Sequence, residues 1–119
     1  MRIGGGIEKP YSNPEEWYEL VKALGYRAVL APIDYRASKE VRQAYLKCAQ
    51  QHDLVIGEVG VWRNVISIDN DERKAAMEYC KNQLELADEL GANCFVNITG
   101  SRGETWDGFY RENYSKDTY

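Results

Sequence analysis

What most constrains this chain is an alternation of two segment types. Apolar runs of strand length are each followed by a helix-length pattern that acids open and glycine or a polar cluster closes. Ile3 to Ile7 is a short, glycine-rich strand candidate. Asn13 can then cap a helix whose first position is Pro14 and whose first turn carries Glu15 and Glu16, at the positive end of the helix dipole. Trp17, Leu20, Val21 and Leu24 recur at the spacing of one buried helical face, and Gly25 is the expected stop. Tyr26 to Ile33 is a second strand with Pro32 at its end, where a missing N–H is tolerated. Ser38 can cap a second helix running to about Gln51, with Val41, Tyr45, Cys48 and Ala49 inward. Leu54 to Trp62 is the third strand. Asp69-Asn70-Asp71-Glu72 opens a third helix with a core stripe of Ala76, Cys80, Leu84 and Ala87, ended by Gly91, and Asn93 to Ile98 is the fourth strand. The stretch 99–119 is polar and aromatic without apolar periodicity. It reads as a loop, with a cap-like Ser115-Lys116-Asp117 near its end.

The order β-α-β-α-β-α-β implies parallel pairing and right-handed crossovers. Two architectures use it, an open doubly wound sheet and a closed barrel of eight βα units. Strand facing separates them. In the third strand Val55, Val59 and Val61 share one side by alternation, and Ile56, Glu58, Gly60 and Trp62 the other. In the fourth, Cys94, Val96 and Ile98 oppose Phe95, Asn97 and Thr99. One aliphatic side per strand suits packing against helices, and a second side that turns polar toward the C-terminal end suits a barrel lining near its mouth. An open sheet covered on both faces would bury Glu58 under a helix, at a cost unless a partner met it. The expectation is therefore an α/β fold of parallel βα repeats, the N-terminal half of a (βα)8 barrel, with residues 1–119 as a single partial domain.

The run Leu54-Val55-Ile56-Gly57-Glu58-Val59-Gly60-Val61-Trp62 resembles the third strand of the sugar phosphate isomerase/epimerase family, the xylose isomerase-like TIM barrels. Ala87 through Asn97, followed by Gly100-Ser101, looks like that family's third helix and fourth strand. The first unit, with Trp17, Leu20, Val21, Leu24, Gly25 and Tyr26, fits the same pattern. The resemblance implies a whole barrel of about 250 residues or more. It also implies a divalent metal (Mn, Mg, Co or Zn) in the complete parent, bound by acidic and histidine ligands on later strands, with a late pair of glutamates moving the proton. This chain stops before a fifth strand, so no metal ligand and no catalytic residue carries over, and the 119 residues alone are expected to be inactive. His52, the single histidine, falls near the end of the second helix, away from the functional face. A hydrolase like endonuclease IV, of the same superfamily, is the alternative. It calls for zinc-binding histidines where this sequence has Asp34 and Trp62. A non-enzymatic open sheet or half-barrel that pairs with another copy through its exposed edges is the third reading.

The substrate-binding candidates are Glu58, Trp62, Asn97, Thr99, Ser101 and Arg102. Glu58 is placed to accept from sugar hydroxyls, or else to form an internal ion pair with Arg2 or Arg102. Trp62 can wall a pocket or pack under the next loop. Asn97 and Thr99 share the inward side by alternation. Gly100-Ser101-Arg102-Gly103 can hold a phosphate or carboxylate through backbone N–H groups and the guanidinium, although a plain turn has the same composition. Asp34-Tyr35-Arg36 reads as a solvated loop. Trp106, Phe109, Tyr110 and Tyr114 form an aromatic cluster able to lid a pocket. Gly4-Gly5-Gly6 is no dinucleotide fingerprint, since position 9 is Lys9.

A net charge of −4 with no basic stripe argues against a nucleic-acid partner. No apolar run nears the roughly 18 residues of a membrane helix, and the N-terminus lacks the apolar core of a signal peptide. Cys48, Cys80 and Cys94, odd in number and without a CxxC, read as small buried hydrophobes. A cytoplasmic protein with a small-molecule sugar partner is the expectation.

Overall fold

A computed structural model describes residues 1–118. The elements follow in the order β1 (Gly4–Gly5), α1 (Pro14–Ala23), β2 (Ala28–Leu30), α2 (Lys39–Gln51), β3 (Val55–Val61), α3 (Asn70–Leu90) and β4 (Cys94–Asn97), then two 3-10 turns, Arg111–Tyr114 and Lys116–Thr118. Their starts are set by local chemistry. Asn13 Oδ1 accepts from the Glu16 N–H at 2.9 Å while Glu16 reaches back to the Ser12 N–H at 2.8 Å, so two otherwise orphaned donors are satisfied at once. Ser38 caps α2 through the Val41 N–H. Asp69 accepts from the N–H groups of Asp71 and Glu72, both at 2.8 Å, at the start of α3.

All three helices end alike. Gly25 and Gly91 take left-handed φ values of 70° and 63°, and the following residue's N–H returns to the helix, Tyr26 to Val21 O and Ala92 to Ala87 O. The α2 end makes the same closure, Leu54 N–H to Ala49 O, but the left-handed residue is Asp53, with φ 54°. An aspartate there needs compensation. Its carboxylate bridges Arg2 of the first unit (2.8 Å) and Arg27 before β2 (2.6 Å). The three chain segments that enter β1, β2 and β3 are thereby clamped at one end.

The strands form one sheet in the order β1-β2-β3-β4. The β1–β2 and β2–β3 pairs are parallel, with Gly5 opposite Val29 and Val29 opposite Ile56. Each strand lies beside its predecessor, and the order has no reversal point of the doubly wound kind. The fold is an α/β βα-repeat with a four-stranded parallel sheet.

The described residues divide into two compact units, Met1–Gly60 with Gln83–Phe95, and Val61–Asn82 with the chain from Val96 onward. In the first, Trp17 and Val21 of α1, Tyr45, Cys48 and Ala49 of α2, and Leu86, Ala87 and Leu90 of α3 meet Val29, Ile56 and Val59 in one core. Trp17 packs edge-on against Tyr45 with ring centroids 5.6 Å apart. Helices that share one core with the same strand faces lie on one side of those strands.

The core corrects the expected strand facing. The β2–β3 register shifts between Val29 and Leu30, which pair with Ile56 and Glu58, so Gly57 is an extra residue in β3. Before the bulge the inward residue is Ile56 and after it Val59; Val55 is not on their side. Glu58 still turns away from the helices, because it pairs with Leu30, the pleat neighbour of buried Val29. In β4 it is Phe95 that packs on the core, while Cys94 is exposed and its thiol donates to Gly57 O at 3.2 Å. The alternation expected to set Asn97 and Thr99 beside Glu58 therefore runs the other way.

Helix faces shift too. Leu84, Val41 and Leu24 are exposed, and Gln83 takes the buried place in α3. It accepts the Tyr35 N–H at 2.8 Å and donates to Gly60 O at 3.4 Å. The loop after β2 is thus tied down. Asp34 also accepts the Arg36 N–H at 2.9 Å and pairs with its guanidinium at 3.2 Å, on a loop that stays solvent-facing at Arg36. Of the cysteines only Cys48 is buried, donating to Pro14 O, and burial raises its thiol pKa. No helix among the described residues is long and apolar enough to cross a membrane.

Candidate functional site

On the first unit the sheet side away from the helices carries glycines of β1 beside Ala28, Leu30 and Glu58. Gly4 is required: a Cβ there would run into the Ala28 carbonyl, so only glycine lets β1 pair so closely with β2. A Cβ on Gly6 would meet the Leu30 side chain at 3.3 Å. Glu58 stands on this side, half-buried. Its backbone carbonyl accepts the Ala31 N–H at 2.8 Å, but its carboxylate has no hydrogen bond or ion pair among the described residues. Arg2, one partner considered for it, is committed to Asp53. A half-buried carboxylate without a partner among the described residues can accept from a hydroxyl or meet a cation.

The other expected site residues lie in the second unit. Trp62 is 57% exposed. Asn97 and Thr99 are exposed. Ser101, by contrast, is 1% exposed and serves as a knot. Asn64 binds both sides of its backbone, donating to Ser101 O at 2.7 Å and accepting from Ser101 N–H at 3.0 Å. Asn113 accepts the Arg102 N–H at 2.7 Å and donates to Ser101 Oγ at 3.2 Å, while that hydroxyl accepts the Gly103 N–H at 3.1 Å. The N–H groups of Ser101, Arg102 and Gly103 are all spent inside the protein. These N–H groups are therefore not free to cradle a phosphate or carboxylate; the segment is the plain turn its composition also allowed, and Ser101 is structural.

Gly100 lies at φ +89°, and a Cβ on it would collide with Asn64 Oδ1, so glycine is needed for the knot to close. Asn64 and Asn113 carry no local pattern that would have marked them; their partners lie 37 and 12 residues away in sequence. A second cluster sits at the start of α3, where Ser67 Oγ bonds Glu72 and Arg73 bonds Ser67 O and Asn70.

The knot fixes a cleft of about 670 Å³ lined by Ile68, Arg102, Glu104, Thr105, Phe109 and Tyr110, together with Gly103 and Gly108. Arg102 is half-buried and its guanidinium has no partner among the described residues. Two further cavities belong to the first unit. One, of about 340 Å³, lies between Gly6–Lys9 and the end of α1. The other, of about 680 Å³, lies between α1 and α2, where His52 stacks on Tyr18 at 3.5 Å. His52 is the C-terminal cap of α2, as its sequence position implied. Among the described residues, no three His, Cys, Asp or Glu side chains are grouped to hold a metal ion.

Compared with known family models, curated proteins and solved structures, the chain matches none.

Proposed function

We propose that this chain supplies four strands and three helices of a βα-repeat barrel that isomerises or epimerises a sugar, sugar phosphate or polyol. The observation that carries the reading is the sequential sheet with its helices on one side, which leaves Glu58 on the other without a partner among the described residues. Sequential parallel strands with one covered face are the unit from which a (βα)8 barrel is wound, and its ligands bind at the strands' C-terminal ends. Glu58 lies in the C-terminal half of β3. Its role is to accept a hydrogen bond from a substrate hydroxyl and fix the orientation of the sugar, an acceptor function that needs no proton transfer. On this reading the divalent metal and the acid/base pair belong to later strands of the barrel, and no step is assigned to this chain.

The test is reconstitution. The 119-residue chain is mixed with the last four βα units of a sugar epimerase barrel. Exchange of the sugar proton beside the carbonyl into deuterated water is followed by NMR, with assembly checked by sedimentation. The reading expects exchange in the assembled pair, lost on removing divalent metal and weakened by about tenfold or more in Glu58→Ala, as for loss of a positioned hydrogen bond. Assembly without exchange, or turnover by the 119-residue chain alone, contradicts it.

A further inference from the structure

The second unit carries an apolar surface that its own residues leave open. Phe109 rests on Tyr114, with ring centroids 5.8 Å apart, yet the two remain 85% and 71% exposed. Ile68, on the same cleft as Phe109, is 68% exposed. Tyr110 lies against Gly103, where a Cβ would sit 2.9 Å from the ring's Cγ. The frame beneath is held, because the N–H groups of Ser101, Arg102 and Gly103 are engaged by Asn113, Asn64 and the Ser101 hydroxyl. On the same cleft stand two charges that nothing among the described residues answers, the Arg102 guanidinium and the Glu104 carboxylate.

Each feature selects an occupant. Exposed aromatic side chains with an arginine among them are the composition of a protein-binding surface, and a fixed loop loses little freedom on association. Ile68 offers a polar small molecule nothing, but it buries well against another apolar side chain. The charges decide which protein. Arg102 and Glu104 are opposite in sign, two positions apart in sequence and not paired with each other. A complementary surface must therefore carry an acid and a base side by side, and this surface does so itself. With a two-fold axis through the cleft face, Arg102 of each copy stands opposite Glu104 of the other, and Phe109 and Ile68 of both are covered. We infer that this face binds a second copy of the chain, as an isologous dimer with two Arg102–Glu104 pairs around a centre of Phe109, Ile68 and Tyr110. The contact uses this unit's residues alone and does not depend on the isomerase reading.

The test is sedimentation equilibrium of the ¹⁵N-labelled 119-residue chain up to about 1 mM, with amide spectra over the same range. Expected is a monomer–dimer equilibrium with a dissociation constant on the order of 10–100 μM, as for a patch at the small end of specific interfaces. Amide shifts that follow concentration should cluster at Gly103, Thr105, Gly108 and Phe109. Phe109→Ala should weaken association about tenfold or more. Arg102→Glu and Glu104→Arg should each do the same, since each sets like charges face to face twice. The double variant Arg102→Glu/Glu104→Arg should return to within about threefold of wild type, and the two single variants should associate with each other. In both cases every opposed pair is again of unlike sign, a rescue that a role within one copy does not produce. Amide spectra show whether each variant is folded, and the wild-type measurement decides even where one is not. A chain that stays monomeric to about 1 mM overturns the inference, as does association that grows past two copies. So does undiminished association in folded Phe109→Ala, which would put the contact elsewhere, or a folded double variant without rescue. Because no turnover is read, failure here leaves the barrel proposal standing, and failed reconstitution leaves this surface untouched.

Discussion

Replacing Asn64 by alanine is the sharpest test of how the second unit is held. Asn64 is 6% exposed and Ser101 1%, and the side chain makes hydrogen bonds of 2.7 and 3.0 Å to the Ser101 carbonyl and N–H. Truncation strands both backbone groups where water cannot easily reach them. At roughly 1–3 kcal/mol for each unsatisfied buried group, the cost is about 2–6 kcal/mol. Against a domain stability of about 5–15 kcal/mol, that is a large share. The assay is urea unfolding followed by far-UV circular dichroism, together with hydrogen exchange at the Ser101 amide, which should lose protection. Asn64→Asp separates the two bonds. It keeps the acceptor for the N–H but sets a carboxylate oxygen against the Ser101 carbonyl. That contact and burial raise the introduced acid's folded pKa above its unfolded value. The added loss is then greatest above the folded pKa, shrinks as pH falls through it and is gone below the unfolded value. A loss under about 0.5 kcal/mol for Asn64→Ala with unchanged Ser101 exchange would refute the reasoning.

Three further outcomes follow from the packing. Leu86→Ala should cost about 2–5 kcal/mol and exposed Leu84→Ala less than about 0.5 kcal/mol by the same urea assay; equal costs would mean a different α3 register. Arg2, then Arg27, holds the Asp53 carboxyl below its usual pKa. Its stabilisation is therefore present above the unfolded carboxylate value and lost as pH falls through the folded one. Thermal melts should show Asp53→Asn below wild type at neutral pH, with the gap closing in acid; a gap independent of pH would reassign the clamp. Glu58→Gln should leave the urea midpoint of the chain unchanged, because the carboxylate has no partner among the described residues to lose; a clear drop would reveal a structural role.

Much of the fold is legible in the sequence because helix ends are local. Asn13, Ser38, Gly25 and Gly91 act within a few residues of themselves, and each stands where capping chemistry puts it. Parallel alternation follows from the same pattern. What escapes is whatever a second segment decides. The bulge at Gly57 arises from pairing with β2, and it reverses the facing of Val55 and Ile56 without any local sign. Phe95 rather than Cys94 faces the core because one bulky ring fills it better. Gln83 displaces Leu84 inward because two backbone groups, on Tyr35 and Gly60, need its amide. The site divides in the same way. Glu58's direction follows from strand period and survives the bulge. Ser101 carried the right turn composition for an anion loop, yet a distant asparagine consumes its N–H.

The most direct test of the account is the interstrand and core NOE pattern of the labelled chain. It predicts backbone contacts pairing Gly4 with Ala28, Ala28 with Val55 and Leu30 with Glu58, and side-chain contacts from Trp17, Tyr45 and Leu86 to Val29, Ile56 and Val59. NOEs from any of the three helices to the Leu30 and Glu58 side chains, or a strand order with a reversal, would contradict it.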